Sequence, residues 1–192
     1  MSRQIMYFSK NKDWMILNLP CVTIFVALMM KTQYSQDIFI YSGYIASILL
    51  IFLLSLNPVI RRFNIDFLRK INRYRRIIGV AVFTYAALHV MCYVAKKGID
   101  ISELLKSPVR GFGALAFIML IPLAITSNHY SIKKLTVPVW RNLHKYVYLA
   151  EGALFLHLVF QFILFDKTRT IYILSAFTLL FILQILRLRV TK

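Results

Sequence analysis

Six long stretches of the chain run apolar with few charges: 14–30, 38–56, 77–94, 112–127, 143–164 and 171–186. A helix needs about 20 such residues to cross a bilayer. The runs are continuously apolar and lack the alternation of a lipid-facing strand, so helices and not a barrel are indicated. The pattern predicts an all-α integral membrane six-helix bundle, a single domain over 1–192 with its core at 38–186, the fourth span being the shortest. Between the second and third spans, Ile60, Phe63, Phe67 and Ile71 recur at three-to-four spacing among basic residues. That predicts an amphipathic helix over 58–76 lying on the membrane surface.

Composition agrees. Hydrophobic residues make up 59% of the chain, and seven acids in 192 residues are too few for an ordinary soluble domain. The net charge of +17 is distributed unevenly. One set of segments collects Arg61, Arg62, Arg69, Lys70, Arg73, Arg75 and Arg76, then Lys133, Lys134, Arg141 and Lys145, then Arg187, Arg189 and Lys192. The alternate loops carry fewer cations, diluted by Asp37, Asp100, Glu103 and Asp166. Positive residues stay cytoplasmic, so both termini are expected in the cytoplasm, and the charge needs no nucleic acid to explain it. The first span is followed by no small-x-small cleavage site and reads as a retained anchor. Cys21 and Cys92 fall at different depths, which argues against a disulfide, and they offer no metal spacing. A phosphate-binding glycine loop, a nucleophile elbow and an internal repeat are all missing from the sequence.

Histidines change the picture. His89 lies within the third span, and His144 and His157 lie on the fifth, 13 residues apart. Ionisable groups at membrane depth normally face the bundle interior, and neutral imidazole is the usual heme ligand. The third and fifth spans run in the same direction, and His89 and His157 each fall about two thirds of the way along, so the pair is expected to hold one heme b as axial ligands. His144 starts the fifth span about 20 Å lower, and a regular helix would rotate it roughly 140° from His157. It is a candidate additional heme or cofactor ligand. Arg75, 14 residues before His89, returns to nearly the same face and lies level with His144. With Arg76 and Trp140 it would suit a heme propionate or a flavin phosphate. Alternatively, these arginines snorkel as topology charges. Glu151, seven residues after His144, could orient that imidazole, relay a proton, or be held as a bonded neutral acid. His129 sits at a loop edge, where solvation explains it.

The blocks Arg75-Arg76-Ile77-Ile78-Gly79, Ala87-Leu88-His89 and Tyr93, with Trp140-Arg141-Asn142-Leu143-His144-Lys145-Tyr146-Val147-Tyr148-Leu149 and His157, resemble the ferric reductase-like transmembrane superfamily. Within it they resemble the MsrQ (YedZ) family of heme-binding membrane subunits. Asn57-Pro58 and Thr126-Ser127 extend the likeness over nearly the whole chain. Tyr44 after Gly43, where the family suggests arginine, and Glu151, where it suggests an apolar residue, depart from it. The resemblance implies b-type heme, FMN, and electron transfer across the bacterial inner membrane. The donor would be a cytoplasmic flavin or flavin reductase. The acceptor would be MsrP, a periplasmic molybdopterin enzyme that reduces methionine sulfoxide in envelope proteins. No catalytic residue is assigned to the chain itself. A ferric-chelate reductase or oxidase-type cytochrome is the competing reading, and a non-redox scaffold would leave the histidines unexplained.

Overall fold

The computed structural model describes residues 35–98, 100–165 and 167–190. Every regular element among them is helical: α1 (Ser35–Phe63), α2 (Asp66–Asn72), α3 (Arg75–Lys97), α4 (Ile101–Lys106), α5 (Pro108–Ile125), α6 (His129–Leu135), α7 (Val137–His144), α8 (Val147–Leu164) and α9 (Lys167–Val190). The expected first span, its anchor role and Cys21 lie outside the described residues, as does the side chain of His129.

Four stretches are long and apolar enough to cross a membrane: Asp37–Phe63, Arg75–Lys97, Pro108–Ile125 and Val137–Leu164. The described residues thus give four candidate spans. The expected sixth span lies within the 24-residue helix α9, where the apolar stretch found among the described residues is Thr170–Ile182. The fourth is fuller than its pattern suggested, because Ser107 followed by Pro108 starts the helix four residues early. The chain is an all-helical, multi-pass membrane protein.

Two further expectations need correction. The single surface helix over 58–76 is in fact three pieces. α1 carries on through Pro58 to Phe63; Asn64 then turns the chain at φ 55°, a conformation asparagine tolerates, before the short α2 and the start of α3. The fifth span is also not one regular helix. At Lys145 and Tyr146 the ladder tightens, with Lys145 N–H bonded to Asn142 O and Tyr146 N–H to Leu143 O. The rotation of 140° between His144 and His157 therefore does not apply.

α1 packs extensively along α3, and α5 along α8; α9 touches α1 and α8, and α3 meets α5 more lightly. In lipid, apolar burial alone gives little cohesion, so helices must approach closely enough for dense van der Waals contact. Small buried residues permit this: Ser42, Ala46 and Ser47 on α1, Ala81 on α3, Ala116 on α5, Ala150 and Ala153 on α8. Around them Leu50, Leu54, Val82, Leu120, Leu158, Phe177 and Leu180 form a core that draws on all five long helices.

Candidate functional site

His89, late in α3, meets the start of α1, where its Nδ1 lies 2.8 Å from the carbonyl oxygen of Phe39. A carbonyl only accepts, so Nδ1 carries the hydrogen and donates it. His157, late in α8, repeats the arrangement at the start of α5, donating from Nδ1 to Val109 O at 2.7 Å. Among the described residues neither Nε2 has a hydrogen-bond partner. The two rings lie within electrostatic reach of one another, and their helices are not among the extensively packed pairs.

Each carbonyl is followed four residues later by a glycine, and the reason is steric. On a helix the Cβ of residue i+4 leans back toward the carbonyl of residue i. An imidazole arriving from the neighbouring helix needs that space. A Cβ at Gly43 would fall 2.8 Å from His89 Nδ1, and one at Gly113 would fall 2.8 Å from His157 Nδ1. Phe39 with Gly43, and Val109 with Gly113, are therefore two copies of one seat. In each helix pair the earlier helix supplies carbonyl and glycine, and the later one supplies the imidazole.

The seats differ in detail. The Phe39 ring stacks on His89, with centroids 4.3 Å apart and planes at 15°. Ser42 also donates its hydroxyl to Phe39 O at 3.0 Å, so that carbonyl is shared. Beside the other seat, Phe112 stacks on Phe160 with centroids 5.6 Å apart. Inspection of the sequence missed both glycines and both carbonyl hosts. The only signal was a glycine near the start of the apolar helix that precedes each histidine helix.

His144 is held differently. Its Nδ1 donates to Trp140 O at 3.0 Å, and its Nε2 lies 3.3 Å from the hydroxyl of Ser127, which gives its hydrogen to Leu123 O at 2.6 Å. Trp140 lies against the His144 ring and donates its indole N–H to Thr126 O at 2.9 Å. α7 is thus fastened to the end of α5 through the Trp140 bond to Thr126, with His144 standing beside Ser127. Arg75 lies within electrostatic reach of His144, and both Arg75 and Arg76 are half-buried with partners of their own. Glu151 is buried, 1% exposed, and its carboxyl receives the amide of Gln184 on α9, at 3.0 and 3.2 Å. It is not directed at His144.

Two imidazoles with Nδ1 engaged, on helices that are not among the extensively packed pairs, could offer Nε2 to a planar iron macrocycle. Hydrogen bonding of the distal nitrogen fixes the tautomer and raises the basicity of the ligating one. The glycine cradles meet the same requirement.

Comparison with known proteins agrees with this chemistry. Magnetosome protein MamZ of Magnetospirillum gryphiswaldense is 37% identical over 124 residues, covering 62% of this chain and 19% of the relative. The protein-methionine-sulfoxide reductase heme-binding subunit MsrQ of Brucella anthropi is 38% identical over 92 residues, covering 45% of this chain and 41% of the relative. MsrQ of Brucella ovis is 38% identical over 90 residues, 44% of this chain and 40% of the relative. The matches thus span about a fifth of the MamZ relative and two fifths of the MsrQ relatives. No solved structure matches the chain. Residues 42–156, which include Gly43, His89, Gly113 and His144 and stop one residue short of His157, match the family described as ferric reductase like transmembrane component, and the chain belongs to that family.

Proposed function

We propose that the chain is a transmembrane b-type cytochrome subunit. In this reading it carries electrons from a cytoplasmic flavin or flavin reductase, across the bacterial inner membrane, to a periplasmic molybdopterin methionine sulfoxide reductase of the MsrP kind. One observation carries the proposal: His89 and His157 each donate Nδ1 to a backbone carbonyl of the adjoining helix beside a glycine. Such a pair supports axial ligation of one heme b. When bound, the heme supplies one-electron chemistry at an iron with no open position for substrate. The chain's residues hold the two rings, exclude water from their seats and set their tautomer.

At the opposite, basic end, Arg75, Arg76 and Trp140 are the groups we assign to an FMN phosphate or a heme propionate. Trp140 fastens α7 to α5 there, and His144 stands beside Ser127 with its Nδ1 bonded to Trp140 O. In this reading both termini are cytoplasmic, so the basic end faces the donor and the two seats face the periplasm.

The test is a reduced-minus-oxidised spectrum of the purified protein. Wild type should show a low-spin bis-imidazole signature that His89→Ala and His157→Ala each abolish. Full heme content with an unchanged spectrum in either variant refutes the ligand assignment. In proteoliposomes, the reduced protein should be reoxidised by methionine sulfoxide only with the periplasmic molybdoenzyme present. The family's description as a ferric reductase like transmembrane component favours ferric-chelate reduction as the second reading. Rapid reoxidation by ferric citrate without a partner would promote it.

A further inference from the structure

The helix α4 lies against α5, and its one acid ties the two imidazole seats together. Asp100 caps the helix by accepting the N–H groups of Ser102 at 2.8 Å and Glu103 at 3.3 Å, which fixes where Glu103 leaves the backbone. One oxygen of the Glu103 carboxylate pairs with Arg110 of α5. The other accepts from the hydroxyl of Tyr93 on α3 at 3.4 Å. The Arg110 guanidinium in turn lies over the Tyr93 ring, 5.8 Å from its centroid, closing a triangle. Tyr93 stands one helical turn beyond His89, and Arg110 directly follows Val109, whose carbonyl holds His157. A single carboxylate thus bridges the backbone of one seat and the ligand helix of the other.

We propose that Tyr93, Glu103 and Arg110 form a clasp that fixes the spacing of the two imidazole seats and sets the reduction potential of an iron held between them, an inference that rests on the cytochrome reading above. Reduction adds negative charge at the iron, so a cation nearby favours it and an anion opposes it. Arg110 and Glu103 cancel while paired. Arg110 directly follows Val109, the carbonyl host of His157, their Cα atoms about 3.8 Å apart, and Glu103 is paired with it. Screening at this partly exposed end weakens the effect without changing its sign.

The test uses the full chain, purified with its heme, as Glu103→Gln, Arg110→Gln and the double variant. Glu103→Gln leaves the Arg110 cation uncompensated and should raise the midpoint potential. Arg110→Gln should lower it, and the double variant should return near wild type. Shifts of the same sign in both single variants, or none at full heme content, would overturn the tuning role. Amide hydrogen exchange over 101–106 supplies a readout that does not need the cofactor. Both single variants should exchange there several-fold faster than wild type, whether or not heme is retained. Unchanged exchange would overturn the clasp. A wild-type protein without a heme band, with exchange over 101–106 still faster in the variants, would instead sink the cytochrome reading and leave the clasp standing.

Discussion

Gly113→Ala adds one methyl group at the position where the His157 ring is seated. The new carbon would lie 2.8 Å from Nδ1 and 3.1 Å from Cε1 of that ring. Heavy atoms in ordinary contact sit about 3.5 Å or more apart, so the imidazole must retreat by about 0.4–0.7 Å. Retreat lengthens the Nδ1 bond to Val109 O, now 2.7 Å, to the limit at which a hydrogen bond is still worth counting. The lost bond costs about 1 kcal/mol. Removal of such an outer partner typically weakens metal binding about 10-fold to 100-fold. The variant should therefore lose heme to an apoprotein scavenger at least ten times faster than wild type, with a perturbed low-spin spectrum. Gly43→Ala should do the same through His89, whose Nδ1 would also lie 2.8 Å from the added carbon. The control is Gly152→Ala, where an added Cβ meets nothing within 4 Å. That change should leave heme retention untouched and firm the helix by about 0.5–1 kcal/mol. Equal heme retention in Gly113→Ala and wild type, or equal loss in Gly152→Ala, would refute the steric argument.

Two other perturbations separate structure from chemistry. Glu151→Leu strands the amide of Gln184 in the bundle and should destabilise the fold by about 1–3 kcal/mol in a detergent unfolding series, whereas Glu151→Gln, able to bond Gln184, should cost clearly less; equal losses would count against the pair. The hydroxyl of Ser102, followed by the backbone N–H groups of Glu103 and Ser102, holds the Asp100 carboxyl below the usual carboxylate range. A depressed folded pKa contributes stability above the unfolded pKa and loses it as pH falls through the folded one. Exchange over 101–106, corrected for intrinsic rates, should accelerate upon acidification below the ordinary carboxylate range, and Asp100→Ala should already be fast at neutral pH; a pH-independent rate would contradict the cap.

Much of the architecture follows from hydropathy, because a bilayer imposes one length and one kind of backbone on every span. What hydropathy hides is where a helix tightens. Lys145 and Tyr146 carry no proline or glycine, yet the ladder changes there, as tertiary docking of Trp140 onto Thr126 holds α7 in its own orientation. The three histidines were legible as candidates, since imidazole at membrane depth demands a reason. Their differing settings were not, because those depend on where the Nδ1 acceptor comes from. His144 bonds within its own helix, and His89 and His157 bond to a carbonyl of another helix. The glycines escaped notice for a related reason: the absence of a side chain matters only against the ring that fills the space. Glu151 was read against His144 on its own helix, whereas its partner Gln184 comes from α9, a contact no helical periodicity could disclose.

Because both acceptors for the imidazoles are main-chain carbonyls, their position is a property of where two helices stand and not of any side chain. The distance between α1 and α3, and that between α5 and α8, are therefore written directly into the strength of each Nδ1 bond. In the cytochrome reading proposed above, whatever presses those helices together or eases them apart, a thicker bilayer or a docked partner, would alter the basicity of the ligands. Helix spacing and electron affinity would then be one variable, and the site a gauge of mechanical load on the bundle.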